Sequence, residues 1–163
     1  MKRFFYLFAI VLAVTLIASC GNSNKQRDVV KEFQNGLTSE DTASVLNLSD
    51  SCMELLKQQK FDEALAMLSE YDDSTGTLVP LSEELRASYM KRFKLFPVVS
   101  YFVSGYIFKS EGINDVKYEV AFGEPDPKTG NTPKTSFMFN PVLVEGQWYL
   151  TVKNADKEIT GFQ

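Results

Sequence analysis

The chain holds no histidine, so any acid–base chemistry falls to carboxylates and phenols. A Ser-His-Asp or Cys-His nucleophile site is excluded, and so is an imidazole metal site. The carboxylates that stand among tyrosines are Asp115, Glu119 and Glu124, beside Tyr101, Tyr106 and Tyr118. An enzyme would need one of them within about 2.6–3.2 Å of a reacting group, with its pKa raised by burial. Their spacing suits solvent-facing strand and loop positions, so no catalytic residue is assigned. The loop Asp72-Asp73-Ser74-Thr75-Gly76 is rich in oxygen but lacks the spacing and closing Glu of an EF-hand. No metal ligand and no cofactor are expected.

The other reactive groups are two thiols, Cys20 and Cys52. Cys20 ends a segment that opens with Lys2 and Arg3, continues through an apolar run from Phe4 to Ile17, and turns polar at once in GNSNKQRD. Charge first, apolar core next and small residues last is the layout of a secretory leader. The run is short for a transmembrane helix, which needs about 20 apolar residues. Ile17-Ala18-Ser19-Cys20 resembles the lipobox of bacterial lipoproteins. That resemblance implies that residues 1–19 are a signal peptide, and that Cys20 takes a diacylglyceryl thioether and then, after cleavage, an N-acyl chain such as palmitate. Two or more chains hold a protein stably on a bilayer. Gly21 stands where an inner-membrane retention aspartate would be, and GNSNKQ lacks an acidic export run. The expected location is therefore a lipid anchor in the outer membrane, facing the periplasm.

Composition narrows the partners. The 17 Lys and Arg, less Lys2 and Arg3, leave 15 against 21 acidic residues, a net charge of −6 for the mature chain. A net acidic surface argues against nucleic acid, whose phosphates need clustered Lys and Arg. Once Cys20 is lipidated Cys52 has no internal partner for a disulfide.

The elements that would position these groups follow from periodicity. Residues 20–28 are read as a polar lipidated tether and 29–163 as one α+β domain. DVVKEFQNGL suggests a short helix. In SEDTASVLNLSDSCMELLKQQ, Val45, Leu48, Cys52, Leu55 and Leu56 share one face, which places Cys52 in the core. Asp62 is the expected N-cap of a further helix over EALAMLSEY, and residues 72–80 form a loop with a short strand at 77–79. Ser82 caps another helix, with the stripe Leu85, Tyr89, Phe93 and Phe96, ended by Pro97. Beyond it the texture becomes β-branched and aromatic. VVSYFVSGYIFK, with a bulge at Gly105, VKYEVAF, KTSFMFNPVLV and QWYLTVK read as a four-stranded antiparallel meander. Pro141 marks an edge or bulge in the third strand.

Helices followed by a sheet of this kind resemble the cone-shaped nuclear-transport-factor-two-like domains, with the cystatin-like fold as the nearest competitor. The domain thus resembles the nuclear-transport-factor-two-like (cystatin-like) lipoproteins of Bacteroidetes. The resemblance implies N-terminal helices packed on a curved four-stranded antiparallel sheet, burying Phe102, Tyr118, Phe122, Phe137, Phe139, Trp148 and Leu150. The aromatic residues then either fill the interior or line a pocket, with Tyr101, Tyr106, Tyr118 and Trp148 as the binding candidates. The strand VVSYFVSGYIF is apolar on both faces, so its second face is either covered by the same chain or forms a ligand or homodimer surface. The expected function is a membrane-anchored periplasmic lipoprotein whose domain binds a small ligand or a protein. The alternative is an enzyme using carboxylate and tyrosine acid–base chemistry in the cone.

Overall fold

The computed structural model describes the backbone of residues 21–152 and the side chains from Arg27 onward. The expected signal peptide, Cys20 and residues 153–163 lie outside the described residues. Helix α1 runs Gly21–Gly36, so the expected tether is helical from its second residue. Then follow α2 (Ser39–Lys57), α3 (Phe61–Ala66), β1 (Leu68–Asp72), β2 (Thr77–Pro80) and α4 (Glu83–Leu95). The remainder is β3 (Ser100–Phe108), β4 (Asn114–Ala121), β5 (Lys134–Phe139), β6 (Val142–Val144) and β7 (Gln147–Thr151). The chain is α+β.

Helix α2 starts where its caps dictate. Thr38 accepts from the Asp41 N–H, while the Asp41 carboxylate accepts from the Thr38 N–H at 2.9 Å, a reciprocal capping box. Its buried face is Val45, Ser49, Cys52, Met53 and Leu56. Leu48 and Leu55, expected at its centre, flank it and still pack on the core. Ser49 is tolerated there because its hydroxyl donates back to the Val45 carbonyl at 2.8 Å. Ser82 caps α4 as expected, with Glu83 and Glu84 at the positive end of the helix and Arg92 and Lys94 at the negative end.

Two regions depart from the expected order. The helix expected over EALAMLSEY stops at Ala66, and Leu68–Asp72 pairs as a strand with β2 and, in parallel, with β7. The last expected strands also divide. Pro141 has no N–H to give a ladder, and the chain changes sheets there. Asn140 N–H donates to the Thr151 carbonyl at 2.8 Å, and Asn114 Nδ2 donates to the Pro141 carbonyl at 2.8 Å. The single four-stranded meander is thus replaced by a three-stranded antiparallel sheet, β3-β4-β5, and a four-stranded mixed sheet, β2-β1-β7-β6. The bulge expected near Gly105 is present. Val103 faces Tyr118 and Gly105 faces Lys117, leaving Ser104 without an opposite residue.

Helix α2 packs on β7, and its apolar face shares one core with the inner face of β3-β4-β5. Tyr118, Phe139, Met53, Leu56, Leu65 and Leu150 are fully buried. Phe137 and Trp148 are buried as expected, and Phe122 is half-buried with its ring edge-on to Phe96 at 5.0 Å. Phe102 is a correction. It is 54% exposed, because strand alternation turns it away from the face that carries Tyr101 and Val103.

Candidate functional site

The four candidate binding residues fall into two groups, Tyr101 and Tyr118 on β3 and β4, and Tyr106 on β3 with Trp148 on β7 of the other sheet. Tyr101 and Tyr118 face α2 as neighbours, their rings edge-on at 5.8 Å, and Tyr118 meets Phe139 in the same way at 5.9 Å. The Tyr118 hydroxyl donates to Asp50 Oδ1 at 2.6 Å. Tyr101 reaches the Glu54 carboxylate at 3.4 Å and the Asp50 carbonyl at 3.5 Å. Burial, and then the Asp50 carboxylate, hold the Tyr118 phenol well above its ordinary value of 10.0. Tyr101 is raised as well, first by burial and then by the charges of Glu54 and Asp50. Both phenols are therefore neutral donors at ordinary pH. Sequence reasoning missed Asp50 and Glu54. The available signal was their i, i+4 spacing, which sets two carboxylates one turn apart beside the apolar stripe of α2.

The second group is a file of rings. Tyr106 lies 5.5 Å from Phe108, and Phe108 lies 5.8 Å from Trp148 on β7. Trp148 is buried, and its indole N–H makes no close hydrogen bond among the described residues, although it adds to the interactions, Thr38 first, that hold the Asp41 carboxyl below its ordinary value. Tyr106 is 52% exposed. Beside it a groove of about 260 Å³ runs between β3 and the α1–α2 junction, lined by Gln34, Leu37, Thr42, Tyr106, Ile107 and Phe108. Gln34 Nε2 donates across it to the Phe108 carbonyl at 2.8 Å.

The space between α2 and the sheet is filled rather than open. Tyr118 and Phe139 have no exposed surface, and no substrate can reach the Tyr118 hydroxyl without displacing packed side chains. Near Phe93, Phe96 and Phe137 a gap of about 30 Å³ remains, room for about one water. Larger recesses lie elsewhere on the surface. One of about 630 Å³ is bounded by Leu68, Leu78, Leu81 and Arg86, and one of about 680 Å³ by Phe33, Tyr71, Gly112 and Ile113.

The three candidate carboxylates are not gathered at either group. Asp115 and Glu119 alternate with Val116 and Tyr118 along β4, so they sit on the outer face of the sheet. Asp115 accepts from Asn140 Nδ2 at 2.6 Å, and Glu119 pairs with Lys134 at 2.6 Å. Glu124 is exposed in the loop that follows β4. No cluster of three metal-ligating side chains occurs among the described residues. No described helix is long and apolar enough to cross a membrane.

No protein-family model matches the chain, and no curated protein matches it. Among solved structures it is similar to a Campylobacter jejuni protein whose crystal structure is named "Putative NTF2-like transpeptidase". The match covers 72% of this chain and 100% of that one, at 12% identity and a TM-score of 0.35.

Proposed function

We propose that this chain is a lipoprotein held in the outer membrane through Cys20, with a domain on the periplasmic side that binds a partner rather than catalysing a reaction. The anchor is supported by the sequence Ile17-Ala18-Ser19-Cys20 at the end of a charged and then apolar leader. One observation carries the binding reading. The interior aromatics are committed to packing, whereas Phe102, Tyr106 and Ile107 on the single strand β3 stand 54%, 52% and 43% exposed. Accessible aromatic area of this kind binds through contact and stacking.

Metabolic labelling with a palmitate analogue, followed by membrane fractionation, tests the anchor. The wild-type chain should carry the label and sediment with the outer membrane. Cys20→Ser should carry no label and remain uncleaved or become soluble; a variant that labels and fractionates like wild type overturns the anchor. A photoreactive residue at position 106 in living cells tests the surface, with position 124 as the control. Capture at 106 and not at 124 is expected, and equal capture at the two positions overturns the assignment of β3.

A further inference from the structure

The recess of about 680 Å³ is walled by Phe33, Tyr71 and Ile113 and carries charge of one sign. Glu32 of α1, Asp73 of the β1–β2 turn and Glu111 of the β3–β4 connection line it, and no lysine or arginine does. None of these three side chains has an ion pair or hydrogen bond among the described residues. Other carboxylates of the surface are neutralised in place, Asp62 by Arg86 and Glu119 by Lys134. We propose that this recess binds a polypeptide segment in which basic residues are interspersed with apolar ones.

Packing sets the walls. The Tyr71 ring rests so closely on the β3–β4 connection that a Cβ on Gly112 would come within 2.6 Å of its Cε1. Its hydroxyl lies 3.7 Å from where a Cβ on Gly76 would stand. One ring thus ties together the two turns that carry Asp73 and Glu111. On the α1 side Phe33 packs against the core, whereas Val29 and Ile113 are 54% and 52% exposed. Rings and aliphatic surface beside unpaired carboxylates suit a ligand that is both apolar and cationic. The carboxylates also choose among cations. They form no group that could hold a metal ion, so they call for positive charges set apart from one another. A bilayer surface offers phosphates, which have the same sign as the rim. Lysines or arginines spaced along a polypeptide, with apolar residues between them, meet both conditions.

The recess depends on neither the anchor nor the exposed face of β3. Its test titrates the full chain, in a non-ionic detergent and against empty micelles, with labelled peptides. The probe is Ser-Lys-Leu-Ser-Lys-Leu-Ser; one control peptide has glutamate in place of lysine, the other serine in place of leucine. The probe should bind saturably and both controls more weakly. Glu32→Gln, Asp73→Asn and Glu111→Gln combined should weaken it about tenfold, the joint worth of three exposed ion pairs, and flatten its dependence on salt. Ile113→Ser should weaken binding and leave the salt dependence unchanged. Glu40→Gln, Glu124→Gln and Glu145→Gln combined remove the same charge elsewhere and should leave binding unchanged. The proposal is overturned by the absence of saturable binding, or by an equal loss in that charge-matched variant. Displacement of the probe by an equal concentration of choline, or by phosphatidylcholine vesicles, overturns the choice of a polypeptide. Should the triple carboxylate variant fail to fold, its three single substitutions still decide. Binding that survives them and is lost in Tyr106→Ser belongs to β3; the recess then falls and the β3 reading stands.

Discussion

The Tyr118 hydroxyl donates to Asp50 Oδ1 at 2.6 Å and so joins β4 to α2 across 68 residues of sequence. The bond keeps a fully buried phenol satisfied, which an isolated hydroxyl at that depth would not be. Hydrogen bonds to charged groups contribute about 1.5–3 kcal/mol. Asp50 is half-buried and can regain water, so Tyr118→Phe is expected near the lower end, measured by urea unfolding. The pH dependence has a definite sign. The folded value lies above the unfolded 10.0, so the contribution is complete below pH 10.0 and is lost as pH rises beyond it. Tyr118→Phe should flatten the alkaline fall in stability, and an unchanged alkaline limb would remove Tyr118 from this role.

Cys52 has no exposed surface, and its thiol lies 3.6 Å from the Ala64 carbonyl between α2 and α3. Burial pushes its pKa up to about 12. The thiolate that alkylating reagents require is therefore both scarce and screened. Labelling of Cys52 in the folded protein should proceed at the rate of unfolding and rise sharply in denaturant. Cys52→Asp should cost more than about 4 kcal/mol, since it places a carboxyl with no partner in the core. Fast labelling under native conditions would contradict the packing.

Gly112 abuts Tyr71. A Cβ at position 112 would come within 2.6 Å of Tyr71 Cε1, closer than side chains tolerate. The ring must shift to admit it, and Gly112→Ala is expected to cost about 1 kcal/mol, the low end of overpacking. In a Tyr71→Ala background that cost should vanish, a coupling read from a double-mutant cycle. Additive effects would show that the loss came from elsewhere in the β3–β4 turn.

Asp72 closes the turn between β1 and β2. Its Oδ1 accepts from the Ser74 hydroxyl at 2.6 Å and the Ser74 N–H at 2.9 Å, and its Oδ2 accepts from the Thr75 hydroxyl at 2.9 Å. The Ser74 hydroxyl, followed by the Ser74 N–H, brings the carboxyl down to about 2 from 3.8. Its contribution is therefore complete above 3.8 and disappears as pH falls through about 2. Asp72→Asn should lower stability near neutrality and make the acid limb of the profile shallower, so that the two profiles converge as pH falls through about 2. An acid limb as steep as that of the wild type would count against the turn.

What the sequence by itself determined was local. The Thr38–Asp41 capping box and the apolar face through Val45, Cys52 and Leu56 specify α2, because caps and i, i+3 and i+4 neighbours act within one or two turns. Alternation in VKYEVAF places Val116 and Tyr118 inside and Lys117 outside, and the bulge beside Gly105 follows from the same short-range rules. The tertiary structure decided what depends on distant partners. Ser69 became a strand residue because Thr151 arrives beside it in parallel. The chain changes sheets at Pro141 because the neighbouring Asn140 N–H finds the Thr151 carbonyl and Asn114 finds the proline's own. Phe102, as aromatic as its neighbours in sequence, stayed outside because β3 has only one face toward α2, and Tyr101 and Val103 occupy it. Asp50 became the partner of Tyr118 for the same reason: periodicity assigns a residue its face, but only the packing of α2 on β4 selects which side chain that face meets.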